Sequence, residues 1–362
     1  MVQLRFTLAR IFRDNLDKYK ELYKDLMTNR MIAQSEKMIE CGEETGKVRT
    51  YKCPECGETK KVPIRCRTVL CTHCGKRHAD EWALKMERDM LEVQHRHMVF
   101  TIPAAMRNIF AENRLLWVIL VDSAVEALKK VMTRGGWRNL EPGIIAILHP
   151  SGKDLKFNPH VHILVTEGGL DKATMSKWMA VTFFPYEPLR KAWQYTLLKN
   201  LRKELKGLSQ WSVVEPMFEK YANGFYVRAK DRIWNQKQIN KYVVRYVRHP
   251  AIAESRIVGY DGDKVTFFYE DAQDEKHYVT MPVLEFMHQL LLLIPDEGFK
   301  MIRHYGLYAR NKRRKVRKIM AKLKKFNLRK ERAIQDMLDK VWKITCDKCG
   351  SVMYPIDDLY PP

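Results

Sequence analysis

Between residues 143 and 168 the chain runs through two apolar, β-branched stretches, GIIAILHP at 143–150 and LKFNPHVHILVTEG at 155–168. The polar SGKD lies between them. Read with period two, these are strands joined as an antiparallel hairpin. HRHMVFTIP at 95–103 is a third strand, ended by Pro103, and GFYVRA at 224–229 a fourth. Residues 256–279 alternate around the turn YDGD. Helical spacing governs residues 10–40, where Ile11, Phe12, Leu16, Tyr19 and Leu22 recur at amphipathic intervals. It also governs ADEWALKMERDML, 108–133, and 170–207 with a break at Phe184-Pro185. NQKQINKYVVRYVRH at 235–249 reads as a helix stopped by Pro250, and the tail as helical. The chain shows no internal repeat. The interleaving predicts an α+β fold with a central antiparallel sheet and flanking helices, preceded by a Cys-rich module.

Its longest apolar runs, LLWVILV and FMHQLLLLIP, are too short to span a bilayer. The first residues lack a signal-peptide core. A soluble intracellular protein with no membrane partner is expected.

Charge narrows the partners. Sixty-five Lys and Arg against 43 acids leave a net +22. Such an excess is costly in self-repulsion and points to a polyanion. Much of it lies in ARNKRRKVRKIMAKLKKFNLRKER at 309–332, with 13 basic residues to one acid. Ile319, Met320, Leu323, Phe326 and Leu328 punctuate that stretch at helical spacing, so a basic amphipathic helix is expected. Arg313 and Arg314 are candidate phosphate contacts, the bland alternative being a solvated face.

Six of eight cysteines form CxxC pairs: Cys53/Cys56, Cys71/Cys74 and Cys346/Cys349. In a chain of this size without a leader, such pairs suggest metal rather than disulfides. Cys53, Cys56, Cys71 and Cys74, two CxxCG knuckles separated by 14 residues, form the expected structural zinc site. Cys66, His73 and His78 are near enough to compete as ligands, and Cys41 reads as a buried thiol. Cys346 and Cys349 are half a site; they either complete a second zinc centre with borrowed ligands or are a relic.

His160 and His162, at i and i+2 of a strand, point to one face at a spacing one metal ion can bridge. Val161, Ile163 and Val165 take the other face. His149 falls on the partner strand near the same end of the hairpin and is a third candidate ligand, or a structural histidine. Two or three imidazoles leave open coordination positions, which suits a metal acting on a substrate oxygen. Ligand softness favours zinc, manganese or iron over magnesium. Tyr242 and Tyr246, four apart on the expected helix, share a face with Arg245 and Arg248 nearby. They are either core tyrosines or phenolic nucleophiles beside phosphate-binding guanidinium groups.

Taken in order, the Cys-rich module, HRHMVFTIP, GIIAILHPSGKDLKFNPHVHILVTEGG, KYVVRYVRHPAIAESRI and IPDEGFKMIRHYGLYA resemble the rolling-circle insertion-sequence transposases. These are HUH single-strand endonucleases of the insertion-sequence ninety-one, double-tyrosine type. The resemblance implies that His160 and His162 bind Mg²⁺ or Mn²⁺ and that Tyr242 or Tyr246 attacks a single-stranded DNA phosphate at the element's ends. A 5′-phosphotyrosyl intermediate and strand transfer would follow, in a cytoplasmic, nucleoid-associated enzyme. The chain departs from the pattern at Asn158, where many relatives carry His before the Pro of the HUH motif. The expected domains are a helical region (1–47), a zinc module (48–85), an HUH endonuclease domain (86–260) and a basic helical region with CxxC (261–362). The competing readings are a non-catalytic zinc protein that binds nucleic acid, and a zinc hydrolase or deaminase. A deaminase lacks support because no HxE stands near a suitable CxxC.

Overall fold

A computed structural model describes residues 6–41, 48–133, 135–229, 232–233, 252–271, 273–341 and 343–356. Tyr242, Arg245, Tyr246 and Arg248, with the helix expected at 235–249, lie outside the described residues. Contacts divide the chain into two compact units, one from residues 90–247 and 295–328, the other from 1–89, 248–294 and 329–362. The second unit is discontinuous: the N-terminal module shares it with the C-terminal CxxC, which the sequence had set apart.

The first unit holds β1 (His95–Phe100), α1 (Leu116–Val131), β2 (Gly143–Ser151), β3 (Phe157–Thr166), α2 (Tyr186–Leu205), β4 (Val227–Arg228), β5 (Arg232–Ile233) and β6 (Ile302–Gly306). The sheet order is β5–β1–β3–β2–β6, with β4 also pairing β1, and every pairing is antiparallel. The expected hairpin is β2–β3, its turn closed by a Gly152 N–H bond to the Lys156 carbonyl. Strand β3 starts at Phe157 rather than 155, because Leu155 takes a left-handed φ of 66° within that turn.

Period two separates the two faces of this sheet. Met98, Phe100, Ile144, Ala146, Leu148, Val161, Ile163 and Val165 join Trp117, Leu120, Ala124 and Leu128 of α1 and Trp193, Leu197 and Leu201 of α2 in one core. Each Val, Leu, Ile, Met or Phe among them contributes roughly 1.5–3 kcal/mol by leaving water. The two tryptophans donate their indole N–H groups to the Phe110 and Thr101 carbonyls, each at 2.8 Å, so neither buries an unsatisfied donor. Arg96, also buried, forks onto Glu167 at 2.6 and 2.8 Å and donates to the Thr182 carbonyl.

Residues 170–183 are not helical as the sequence spacing predicted. Gly169–Asp171 is the central strand of a small antiparallel sheet, pairing with Leu140–Glu141 on one side and Trp178–Met179 on the other. Helix α2 begins directly after Pro185 and carries Pro188 in its first turn, where a missing N–H costs no helical hydrogen bond.

In the second unit the stretch read as one helix over 10–40 is two, Leu8–Leu22 and Asn29–Ile39. Each begins at a threonine cap, Thr7 and Thr28, whose hydroxyl accepts a backbone N–H at 3.2 Å. Strands Ile257–Tyr260, Lys264–Glu270 and Lys276–Pro282 form the expected meander, followed by helix Val283–Leu291. Phe267 meets Phe286 at 5.7 Å, and the Tyr19 hydroxyl meets His288 Nδ1 at 2.7 Å. Val48–Lys52, Thr59–Pro63 and Tyr354–Pro355 make a further three-stranded sheet.

The basic tail is also two helices, Arg313–Lys322 and Leu328–Val341. Between them Lys324 turns to a φ of 54° and Phe326 is buried. Among the described residues no helix is long and apolar enough to cross a membrane.

Candidate metal centres and catalytic site

Strand register assembles the histidines. His149 on β2 pairs directly with His160 on β3, while His162 pairs with Ile147 on one side and Val99 of β1 on the other. Because paired residues and residues two apart share a face, His149, His160 and His162 stand together on the face opposite the helix-covered core. Each offers a ring nitrogen within 4.8 Å of the other two. His149 Nδ1 and His160 Nε2 are 3.3 Å apart. An ion about 2.1 Å from two nitrogens holds them roughly 3.0–3.4 Å apart, so the spacing fits a shared metal.

Protonation fits as well. Burial pushes His149 down to about 3, aided by the charge of His160, and burial also lowers His160 and His162. All three imidazoles are therefore neutral near pH 7, with a lone pair available. His160 Nδ1 lies 2.6 Å from the Asn158 carbonyl, which only accepts, so Nδ1 carries the proton and Nε2 the lone pair. The departure at Asn158 is thus harmless to this contact, because a main-chain carbonyl does the orienting.

Three neighbours were missed by the sequence reading. His97 Nε2 lies 3.0 Å from His162 Nδ1, with the rings stacked. That contact leaves His162 Nε2 as the nitrogen able to serve a metal. Burial pushes His97 down to about 3 as well, with the charges of Arg228 and His160 adding to it. Arg107 in turn acts electrostatically on His160. Two guanidinium groups therefore bear on the histidine cluster, a field suited to a phosphodiester. The signal for His97 was in the sequence: HRH in the first strand repeats the His-x-His pattern.

The cysteines group differently from the sequence expectation. Cys53 and Cys56 are not brought to Cys71 and Cys74; two separate tetrads form instead. In one, Cys41, Cys66, Cys71 and Cys74 converge, with Cys74 Sγ 3.6 Å from Cys41 and 3.7 Å from Cys66. An ion bound tetrahedrally at about 2.3 Å holds its sulfurs roughly 3.8 Å apart, so four thiols of this spacing suit structural zinc. Hydrogen bonds from Cys66 and then Cys71 lower the Cys74 thiol, while hydrogen bonds from Cys66 and Cys74 raise Cys71. The cluster thus shares its protons unequally, and binding an ion would release the rest. Cys41, expected as a buried thiol, is a full member, and Cys66 is central rather than a competitor. In the other tetrad Cys53 and Cys56 face Cys346 and Cys349. The difference has a physical reason: CxxC spacing fixes only which two thiols share a turn, and the fold decides which turns meet.

Arg313 and Arg314 open the helix Arg313–Lys322, the first half-buried and the second exposed.

Two family models match the chain. A putative transposase model covers residues 143–316, and a transposase zinc-binding domain model covers residues 11–102. The chain is 28% identical to the transposase for insertion sequence element IS801 of Pseudomonas savastanoi pv. phaseolicola, over 75% of this chain and 69% of that protein. It is also 28% identical to the putative transposase y4qJ of Sinorhizobium fredii (strain NBRC 101917 / NGR234), over 83% of this chain and 79% of that one. No solved structure matches it significantly. These findings define the class as a DNA-processing transposase. Together the two matches, the zinc-binding model ahead of the transposase model along the chain, make it similar to IS91-type transposases that carry a zinc-binding domain.

Proposed function

We propose that the protein nicks single-stranded DNA at the ends of its element and transfers the strand through a tyrosine, as in rolling-circle transposition. The observation that carries this reading is the convergence of His149, His160 and His162 on one face of the sheet. His149, His160 and His162 would hold a divalent cation there, which would supply Lewis-acid polarisation of the scissile phosphate. The all-nitrogen donor set favours Mn²⁺ over Mg²⁺.

Tyr242 or Tyr246 supplies the nucleophile. A phenol with a pKa of about 10 is a weak nucleophile at neutral pH, so it needs an activated phosphate. Its oxygen bonds to phosphorus, the bond from phosphorus to the 3′ oxygen breaks, and that oxygen takes up a proton to leave as a 3′-OH. The 5′-phosphotyrosyl ester conserves the energy of the broken bond, and attack by a second 3′-OH rejoins DNA without ATP. Arg107 and Arg228 lower the cost of bringing the polyanion to the histidines, with Arg245 and Arg248 holding phosphate beside the tyrosines. Arg313 and Arg314 add sequence-independent phosphate contacts. The Cys41, Cys66, Cys71 and Cys74 tetrad holds a structural zinc.

The test uses labelled single-stranded element ends with Mn²⁺, analysed on denaturing gels. A covalent protein–DNA adduct should form and should vanish in the Tyr242→Phe, Tyr246→Phe double variant. Adduct surviving in that variant removes these tyrosines from the chemistry, and DNA cleavage unaffected by chelator removes the metal.

His97 is assigned as a positioning residue. For His162 Nε2 to keep its lone pair, Nδ1 must carry the proton and donate to His97 Nε2. Loss of such an outer partner typically costs about 10–100-fold in metal affinity. His97→Phe should weaken Mn²⁺ binding in calorimetric titration by about that range. His97→Gln, which retains an acceptor, should recover part of it. Equal affinity in wild type and His97→Phe would refute the assignment.

A further inference from the structure

The second cysteine tetrad lies partly outside the residues matched by the zinc-binding domain model, which end at 102. Half of its ligands come from near the C-terminus. Cys53 Sγ is 3.4 Å from Cys349, while Cys56 is 3.5 Å from Cys346 and 3.7 Å from Cys349. None of the four is in a disulfide.

The two half-sites are built alike. In CPECGE the Gly57 N–H bonds to the Cys53 carbonyl at 3.0 Å, and the Cys53 N–H bonds to the Glu58 carbonyl at 2.8 Å. In CDKCGS the Gly350 N–H bonds to the Cys346 carbonyl at 2.9 Å, and the Cys346 N–H bonds to the Ser351 carbonyl at 2.9 Å. Gly57 and Gly350 share a φ of 74°, a left-handed turn that a side chain would strain. Each loop thus directs two sulfurs to one side, and the loops face each other.

Backbone pairing extends the match beyond the sulfurs. Tyr354–Pro355 adds to the edge of Val48–Lys52, with Lys52 opposite Tyr354, and Ile356 donates to the Thr50 carbonyl at 3.0 Å. Thr345 bridges Val352 across the C-terminal loop. Lys60 pairs with Asp347 at 2.7 Å. Among the described residues, the apolar cluster here consists of Cys53, Cys346 and Met353, with Tyr51 and Ile344 against them. So small a cluster does not bury enough surface to hold two segments nearly 300 residues apart in sequence. Four thiols at 3.4–3.7 Å supply what it lacks.

We infer that Cys53, Cys56, Cys346 and Cys349 bind a second structural zinc ion, closing a ribbon whose two halves come from opposite ends of the chain. The ion clasps the C-terminal segment to the N-terminal module. Four thiolates occupy every position of a tetrahedral ion, so the site is structural rather than catalytic.

The test is the zinc content of the purified full chain, measured by elemental analysis and native mass spectrometry. Wild type should carry two zinc ions and the Cys346→Ser, Cys349→Ser variant one. A wild-type chain with a single zinc, or a variant that keeps two, overturns the proposal. Thiol alkylation of the unmutated protein gives a second readout that does not depend on a variant folding. Although Cys56 and Cys349 are exposed, both should resist alkylation in the zinc-loaded protein and become reactive together when chelator is added. Alkylation of Cys349 before chelation, at the rate of a free peptide thiol, overturns it as well.

Discussion

His162→Ala should reduce strand cleavage by about 10³-fold or more, equivalent to roughly 4 kcal/mol of transition-state stabilisation. His162 sits between β1 and β2 in the sheet, opposite both Val99 and Ile147, and it is buried. Its position is therefore fixed by two neighbouring strands. Removing it leaves two imidazoles, and a two-ligand site binds a divalent ion weakly at physiological concentration. DNA affinity should change little, because the Lys and Arg that neutralise phosphates are untouched. Cleavage and electrophoretic mobility shift, measured on the same oligonucleotide, separate the two effects. His160→Ala serves as the control for packing: His160 is less buried than His162, so its loss should reproduce the cleavage defect with a smaller thermal shift. Cleavage retained above a tenth of wild type in both variants would dismiss the histidine cluster as the catalytic centre.

How much of this was legible depended on the range of the interaction. The β2–β3 hairpin could be read because its apolar alternation and its turn are local. Period two then placed His160 and His162 on one face, and the antiparallel pairing brought in His149. His97 was harder. The strand and its His-x-His pattern were visible, but only strand order reveals that β1 borders β3 and sets His97 against His162. Arg107 and Arg228 carried no pattern at all; the fold alone lets their charges act on His160 and His97.

Helix limits showed the same contrast. The caps Thr7 and Thr28 are ordinary residues in a sequence, and the periodicity over 10–40 passes through the break between the two helices. Residues 170–183 were misread because isolated apolar positions there fit a helix as well as the short paired strands they form. In the basic tail the turn at Lys324 was invisible for a similar reason, since neither Gly nor Pro marks it. The cysteines were legible as metal ligands but not as sets, because pairing adjacent knuckles presumes that sequence neighbours meet. Cys41 has no CxxC partner to announce it.

That last point yields the second large effect. Cys41→Ser should remove one zinc ion and destabilise the N-terminal module as severely as Cys71→Ser. A structural zinc contributes about 10–16 kcal/mol in small zinc peptides, comparable with or greater than the whole stability of a domain. Replacing one thiolate leaves an incomplete tetrahedron, and the remaining core of the helical hairpin, with Met31 and Met38 buried on its second helix, is too small to compensate. Thermal unfolding followed by circular dichroism should show the loss, and zinc analysis on the same sample should fall by one ion per chain. If Cys53, Cys56, Cys71 and Cys74 formed the site instead, Cys41→Ser would cost no more than an ordinary buried substitution, about 1 kcal/mol, and zinc content would not change. The single substitution therefore distinguishes the set chosen by spacing from the set assembled by the fold. The fold argument requires Cys41 and Cys66 to behave as Cys71 and Cys74 do, and a silent Cys41→Ser would break it.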